Sequence, residues 1–346
     1  MTKGSKQMGK IYNEAGWVNW DWIMADPSII KMAVGARAVG KTYGCFKWLF
    51  EHKKKFIYLR RLKTQLDLCA TEAGNPFNKV AADMGFKTKA VKREGMVYFR
   101  YDTEEGEDFA LGLALSTLAT VRGVDFSGYD YIIFDEAVAM VNERPIKNEF
   151  NTLLNMYETI NRNRGAAGLD ERPPIILVML GNANKLSNPY YTGWKFTKTA
   201  LKMIRGGQMV YRTQDGSRLM LILLNSPISE QKAYTALYKN ASADFISMAL
   251  DNAFKVDATN VRPEPLREYR HIVSVGEIGI YKHKSARKYY VCSVQQKSPY
   301  YEAYGIQLKM FVQDYFMLRI NYMAVKNIFF EDFENELLFR EYFDLN

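Results

Sequence analysis

The chain has 346 residues, 48% of them hydrophobic and 14% aromatic, which supplies a core for one large domain or two and excludes a disordered polypeptide. Three scattered cysteines (Cys45, Cys69, Cys292) and three scattered histidines give no disulfide framework, zinc spacing or histidine-ligated metal, and fit a reducing cytoplasm. No apolar run reaches membrane-spanning length, the polar start from Met1 to Lys6 does not read as a secretion signal, and the net charge is +9.

In chain order, the first predicted elements are an apolar strand over Lys31–Val34 and a helix over Tyr43–Phe50, with GARAVGKT between them. That octapeptide (Gly35, Ala36, Arg37, Ala38, Val39, Gly40, Lys41, Thr42) fits the phosphate-binding pattern G-x-x-x-x-G-K-[ST]. The glycines let backbone N–H groups curl around a phosphate, the lysine supplies a charge to the β- and γ-phosphates, and the threonine hydroxyl suits Mg²⁺. A strand, a glycine loop and a helix N-terminus form the arrangement that phosphate binding requires. Trp20 and Trp22 lie upstream, where a base could stack, although core packing is the ordinary use of such residues.

Strands follow at Lys55–Arg60 (KFIYLR), Met96–Tyr101, Phe109–Leu115, Tyr131–Phe134 and Ile175–Leu180, and their alternation with helical patterns predicts an α/β sheet. The strand Tyr131–Phe134 runs into Asp135-Glu136, a carboxylate pair that a phosphate-binding loop needs as its complement. Asp135 would hold the Mg²⁺ shell and Glu136 would orient and deprotonate water, on a strand expected beside that of the loop. A helix is predicted over Glu149–Asn161, where Phe150, Leu153, Leu154, Tyr157 and Ile160 recur at helical spacing. The strand at 175–180 ends in Gly181-Asn182, and an uncharged amide there can sense a γ-phosphate; the nearby Asn184-Lys185-Leu186-Ser187 lacks the aspartate of a guanine-reading motif.

Hydrolysis also needs cations against developing phosphate charge. Arg60 ends KFIYLR and could act in cis, Arg122 precedes the carboxylate strand, and Arg162 and Arg164 follow the helix at 149–161. A solvated surface is the default state of each.

Met209–Thr213 and Leu219–Leu224, joined through Asp215-Gly216, predict an antiparallel pair. Glu230–Phe254 reads as helix and Val261–Pro265 as a linker. Strands at His271–Val275 and Tyr289–Gln295, a helix over Tyr304–Val325 and an acidic last stretch complete the chain. The division is an NTPase domain over 1–200, a linker or lid region over 201–261 and a small α/β domain over 262–346. Residues 262–346 hold 12 Lys/Arg against 11 Asp/Glu (+1), leaving 35 against 27 (+8) for the rest. The basic excess therefore travels with the nucleotide-binding part, as on a surface facing nucleic acid or one merely kept soluble.

The stretches VGARAVGKTY, FIYLRRLK, YDYIIFDE, TINRNR and GNANKLSNPYY resemble the DNA-packaging ATPases of phi-29-like podophages, relatives of the terminase large subunits, across residues 30–195. The resemblance implies an ASCE-type ATPase that uses ATP and Mg²⁺. It implies a homopentameric ring on the portal vertex of a procapsid in the host cytoplasm, held there directly or through an RNA or protein adaptor. Double-stranded DNA would be its cargo. By position it gives Lys41 and Thr42 to nucleotide and Mg²⁺, Asp135 to Mg²⁺ and Glu136 to the water. Arg60 becomes a cis cation, Arg162 a trans finger, Arg122 a second trans cation, Asn182 the sensor and Lys63 a contact to DNA phosphates. It also implies a vestigial RNase H-like fold at the C-terminus, with Ile272–Ile280 as first strand and Glu277 as its lone acid. A nucleotide switch or assembly scaffold, and a terminase-type nuclease, are the alternatives.

Overall fold

The phosphate-loop strand β1 (Ile30–Gly35) is buried along its whole length and pairs in parallel with β7 (Ile176–Asn182) on one side and β9 (Leu219–Leu224) on the other. A computed structural model describes residues 11–35, 39–117, 123–139, 143, 146–182, 188–214, 218–224 and 264–345. Ala36–Ala38, Arg122, 183–187, 215–217 and 225–263 lie outside it, and with them part of the phosphate loop, the predicted turn at Asp215-Gly216, the predicted helix over Glu230–Phe254 and most of the predicted linker.

The first sheet has nine strands in the order β3-β4-β5-β2-β6-β7-β1-β9-β8. Its centre is parallel: β5 (Asp108–Ala114), β2 (Phe56–Arg60), β6 (Tyr131–Phe134), β7, β1 and β9. Each is a short apolar run, as expected of strands covered on both faces. At one edge β3 (Thr88–Arg93) and β4 (Met96–Tyr101) add an antiparallel hairpin, and at the other β8 (Val210–Arg212) pairs antiparallel with β9.

Two expectations change. The carboxylate strand β6 is not beside β1, because β7 is inserted between them; this extra strand brings Asn182 opposite Gly35 in the register. And β8 and β9, in the stretch read as linker, complete the first sheet instead. The chain divides into two compact units: Met1–Lys147, Thr152–Asn184 and Met203–Ala253; then Asn148–Asn151, Lys185–Lys202 and Phe254–Asn346.

Helices α1 (Trp20–Met24), α2 (Lys41–Glu51), α3 (Lys63–Cys69), α4 (Asn78–Asp83) and α5 (Glu149–Asn161) accompany the first sheet in sequence. Aromatic packing dominates one side of its core. Phe77 is fully buried, with ring centroids of Phe46, Phe99, Phe109 and Tyr58 between 4.6 and 5.3 Å away. Beyond α5 the chain forms α6 (Pro189–Gly193) and α7 (Thr197–Arg205).

The second unit holds a five-stranded sheet in the order β13-β10-β11-β12-β14. Strands β10 (Tyr269–Val275), β11 (Ile278–His283) and β12 (Tyr289–Cys292) form an antiparallel meander; β13 (Tyr300–Tyr301) and β14 (Ile328–Phe330) run parallel to its two outer strands. Ile272–Ile280 is therefore not one strand. Val275 pairs with Ile278 across a two-residue turn, with Gly276 at φ +52°. A Cβ at Gly276 would also lie 2.4 Å from the Tyr342 hydroxyl.

The predicted helix over Tyr304–Val325 is present in three pieces: α8 (Gly305–Asp314), α9 (Phe316–Ile320) and a π-helical turn over Asn321–Val325. The acidic stretch is a helix, α10 (Phe333–Tyr342), capped by the Asp332 carboxylate accepting from Asn335 N. Its Glu334 and Glu336 occupy the first turn, where the helix dipole favours negative charge. Leu338, Phe339 and Tyr342 face the core of this unit.

Candidate nucleotide site

The site lies at the C-terminal ends of β1, β2, β6 and β7. Gly35 closes β1 where β9 approaches so closely that a Cβ would meet the Leu224 carbonyl at 2.3 Å. Gly40 precedes α2 with φ +85°, a left-handed conformation that glycine adopts without strain. Lys41 opens the helix and is buried, its Nζ donating to the Gly35 carbonyl at 3.0 Å.

Thr42 Oγ1 donates to Asp135 Oδ1 at 2.8 Å, joining the phosphate loop to the end of β6. Two hard oxygens that close together, one of them a carboxylate, suit Mg²⁺. Asp135 is buried, which pushes its carboxyl above the usual range, while Arg60, Thr42 and Tyr58 pull the other way. Tyr58 and Arg60, two residues apart, share a face of β2. The Tyr58 hydroxyl donates to Asp135 Oδ2 at 3.3 Å, and Arg60 NH1 donates to the same oxygen at 3.3 Å. Arg60 NH2 pairs with the Glu136 carboxylate, and Glu136 itself sits at φ +53° with its side chain half exposed. Burial opposes the Arg60 charge, but Tyr58, Asp135 and Glu136 together hold its pKa above the ordinary value.

Lys41, Thr42, Arg60, Asp135, Glu136 and Asn182 thus converge. Arg162 does not. It is exposed at φ +50° just after α5, and its guanidinium donates to the Val124 carbonyl at 3.1 Å. Arg164 is buried and donates to Asp130 at 3.2 Å and to the Ser127 carbonyl at 2.7 Å. Asp130 precedes β6 and Asp135 follows it, so the arginine group and the carboxylate pair stand at opposite ends of one strand, about 16 Å apart at ~3.3 Å per residue. Lys63 is half exposed, its Nζ on Asp67 at 2.7 Å, with Lys92 on the same carboxylate at 3.1 Å.

Reading the sequence for motifs misses Tyr58, though its i, i+2 relation to Arg60 is an available signal. It misses Trp17 as well. Beside Gly40 lies a cavity of about 840 Å³ lined by Trp17, Trp20, Trp48, Tyr43 and polar groups such as Asn13. Trp17 is 45% exposed while Trp20 is buried. Trp22 packs partly buried against the core, with the Arg212 guanidinium 5.4 Å from its ring.

A phosphate loop on a central parallel strand, with a carboxylate pair on a strand one place removed, defines the ASCE type of P-loop ATPase fold. Within that class, the chain belongs to the podovirus DNA encapsidation protein (Gp16) family, whose model matches residues 13–275. The DNA packaging proteins of Bacillus phages PZA and phi29 are each 29% identical to it over 168 residues, 47% of this chain and 45% of theirs, so the match spans under half the length of these relatives. The Phi-28 gp11 DNA packaging motor shares the fold with a TM-score of 0.57 at 20% identity, over 94% of this chain and 97% of that one. The bacteriophage Phi-29 viral genome packaging motor assembly gives 0.57 at 16% identity, over 94% and 99%.

Proposed function

We propose that this chain hydrolyses ATP to drive double-stranded DNA into a viral procapsid, as one subunit of a homo-oligomeric ring. Membership of the encapsidation family supports the task, and the convergence of Lys41, Thr42, Asp135 and Glu136 supports the chemistry. Lys41 would meet the β- and γ-phosphates, and Thr42 with Asp135 would hold Mg²⁺, which neutralises phosphate charge when bound. Glu136 would orient the attacking water and take its proton. The aromatic cavity beside Gly40 would receive the base, stacked on Trp17.

The observation that carries the reading is the separation along β6. Arg162 is free of the carboxylate end in its own chain and exposed, as a finger serving a neighbouring subunit must be. Five such subunits on the portal vertex, attached directly or through an RNA or protein adaptor in the host cytoplasm, would each complete the next one's site. Asn182, opposite Gly35 in the register, would sense the γ-phosphate, and Arg122 would be a second trans cation on family resemblance alone.

The second unit is proposed to have no nuclease role. Among the described residues no group of three or more His, Cys, Asp or Glu is placed to hold a metal.

The test mixes two inactive chains, Arg162→Ala and Glu136→Ala, and measures DNA-stimulated ATP hydrolysis. A finger offered in trans predicts recovered activity, since the first variant keeps an intact site and the second an intact finger. No recovery at any ratio, with both proteins assembled, refutes the shared site.

A further inference from the structure

Arg162, the proposed finger, sits between two residues that are tied down. Before it, Asn161 accepts from Ile175 N through Oδ1 at 2.9 Å and donates through Nδ2 to the Arg164 carbonyl at 3.1 Å. After it, Arg164 is buried, and its guanidinium donates to Asp130 Oδ1 at 3.2 Å and to the Ser127 carbonyl at 2.7 Å. Arg162 itself is exposed at φ +50°. A non-glycine residue keeps that left-handed conformation where its surroundings enforce it.

The Arg164 contacts join two loops. Residues 123–130 lead into β6, and residues 162–175 lead from α5 to β7. The Ser127 carbonyl also accepts from Arg172 at 3.3 Å, and Arg172 is paired with Asp170 at 2.7 Å. Gly165, at φ +79°, turns the chain where a Cβ would lie 2.7 Å from Pro174 Cγ. The Arg164 side chain is 5% exposed although its partner Asp130 is 67% exposed, so it is the arginine end of the pair that the fold encloses. A planar guanidinium that spans a carboxylate and a carbonyl fixes direction as well as distance.

The finger's own head group is held less firmly. Its one hydrogen bond among the described residues is to the Val124 carbonyl, on the loop that Arg164 grips, and it lines a cavity of about 320 Å³ with Arg164 and Arg172. The Arg162 guanidinium can therefore leave Val124 while its backbone stays where the two anchors put it. We propose that Arg164 is the positioning residue of the trans finger: it locks the loop of Arg162 to the start of β6 and so fixes where the finger is offered to the next subunit. The inference rests on the reading of Arg162 as that finger.

The test follows DNA-stimulated ATP hydrolysis by mixtures of full chains. Arg164→Met alone should lose activity roughly tenfold to a hundredfold, the effect of misplacing a reacting group by about an ångström. Mixed with Glu136→Ala it should recover, because its own site is intact and the other chain supplies a placed finger. Mixed with Arg162→Ala it should not, since neither chain then offers one. A residue that only holds the fold together would not sort in this way. Undiminished activity of Arg164→Met, or recovery with Arg162→Ala, overturns the proposal. If Arg162→Ala is rescued by Glu136→Ala and Arg164→Met is not, the finger stands and the inference alone falls; if neither is rescued, both fall. Asp130→Ala, which removes one of the two contacts at an exposed position, serves where Arg164→Met does not fold. It should show a smaller loss that Glu136→Ala restores and Arg162→Ala does not, and full activity or the opposite pattern refutes the assignment.

Discussion

Replacing Arg60 with alanine tests whether the carboxylate end of β6 is held by charge. The Arg60 and Asp135 side chains are 10% and 7% exposed, and the guanidinium also pairs with Glu136. Removing one partner of a buried pair leaves the other charge uncompensated, at a cost of about 3–5 kcal/mol. For a unit of this size that is a fall in Tm of roughly 6–20 °C, at ~2–4 °C per kcal/mol. The sign with pH follows from Asp135. Burial already raises its carboxyl and Arg60 opposes this, so the variant's folded carboxyl titrates higher still. A folded state that takes up a proton more readily gains stability as pH falls, so the deficit against the wild type should shrink toward acid. Urea unfolding of the nucleotide-free chain, with and without Asp135→Asn, measures it. The double variant should be more stable than Arg60→Ala alone. A loss under about 1 kcal/mol at neutral pH, or no rescue by Asp135→Asn, would refute the reasoning.

Two further outcomes are expected. Trp17→Ala should weaken ATP binding about two- to tenfold, the worth of one aromatic contact at ~0.5–1.5 kcal/mol, and leave tripolyphosphate binding unchanged; equal losses for both ligands would remove the base from the cavity. Lys31, fully buried in β1 with Nζ donating to the Ser28 carbonyl at 2.7 Å, has its ammonium pushed down to about 8 by burial. Its folded pKa is lowered, so the wild type should gain stability relative to Lys31→Met as pH rises from about 8 toward its ordinary value, read as the difference in Tm between the two chains; a pH-independent difference sinks the assignment.

The parallel core is legible because buried strands are short apolar runs with little else to mimic them. Sequence pattern and structure agree to the residue at Tyr131–Phe134, at Met96–Tyr101 and at the helix Glu149–Asn161. Strand order is not legible: nothing local in Ile176–Asn182 says that it inserts between β6 and β1, since that is decided by crossovers and packing. The hairpin at Gly276-Glu277 is hidden because two apolar strands joined by only two residues read as one run. In α10 the acids mask an apolar face at Leu338, Phe339 and Tyr342 whose spacing is helical. The phosphate-loop pattern and the Asp135-Glu136 pair are legible in the sequence, whereas Tyr58 and Trp17 stand out only from what the fold puts beside them.

Under the proposed function, the contacts of Arg60 leave a place for a second source of positive charge. A guanidinium offers five N–H donors in one plane. Its NH1 is spent on Asp135 and Tyr58 and its NH2 on Glu136, while Nε is buried without a partner among the described residues. Held this way, three of its five donors are committed to Asp135, Tyr58 and Glu136, and Glu136 cannot act freely as a base while its carboxylate is paired. Under the proposed function the two constraints have one resolution: the pair must part for hydrolysis, and the phosphate charge must be met by a cation that its own chain does not commit to these carboxylates. Arg162, exposed at the far end of β6, fits that requirement only as the property of the next subunit.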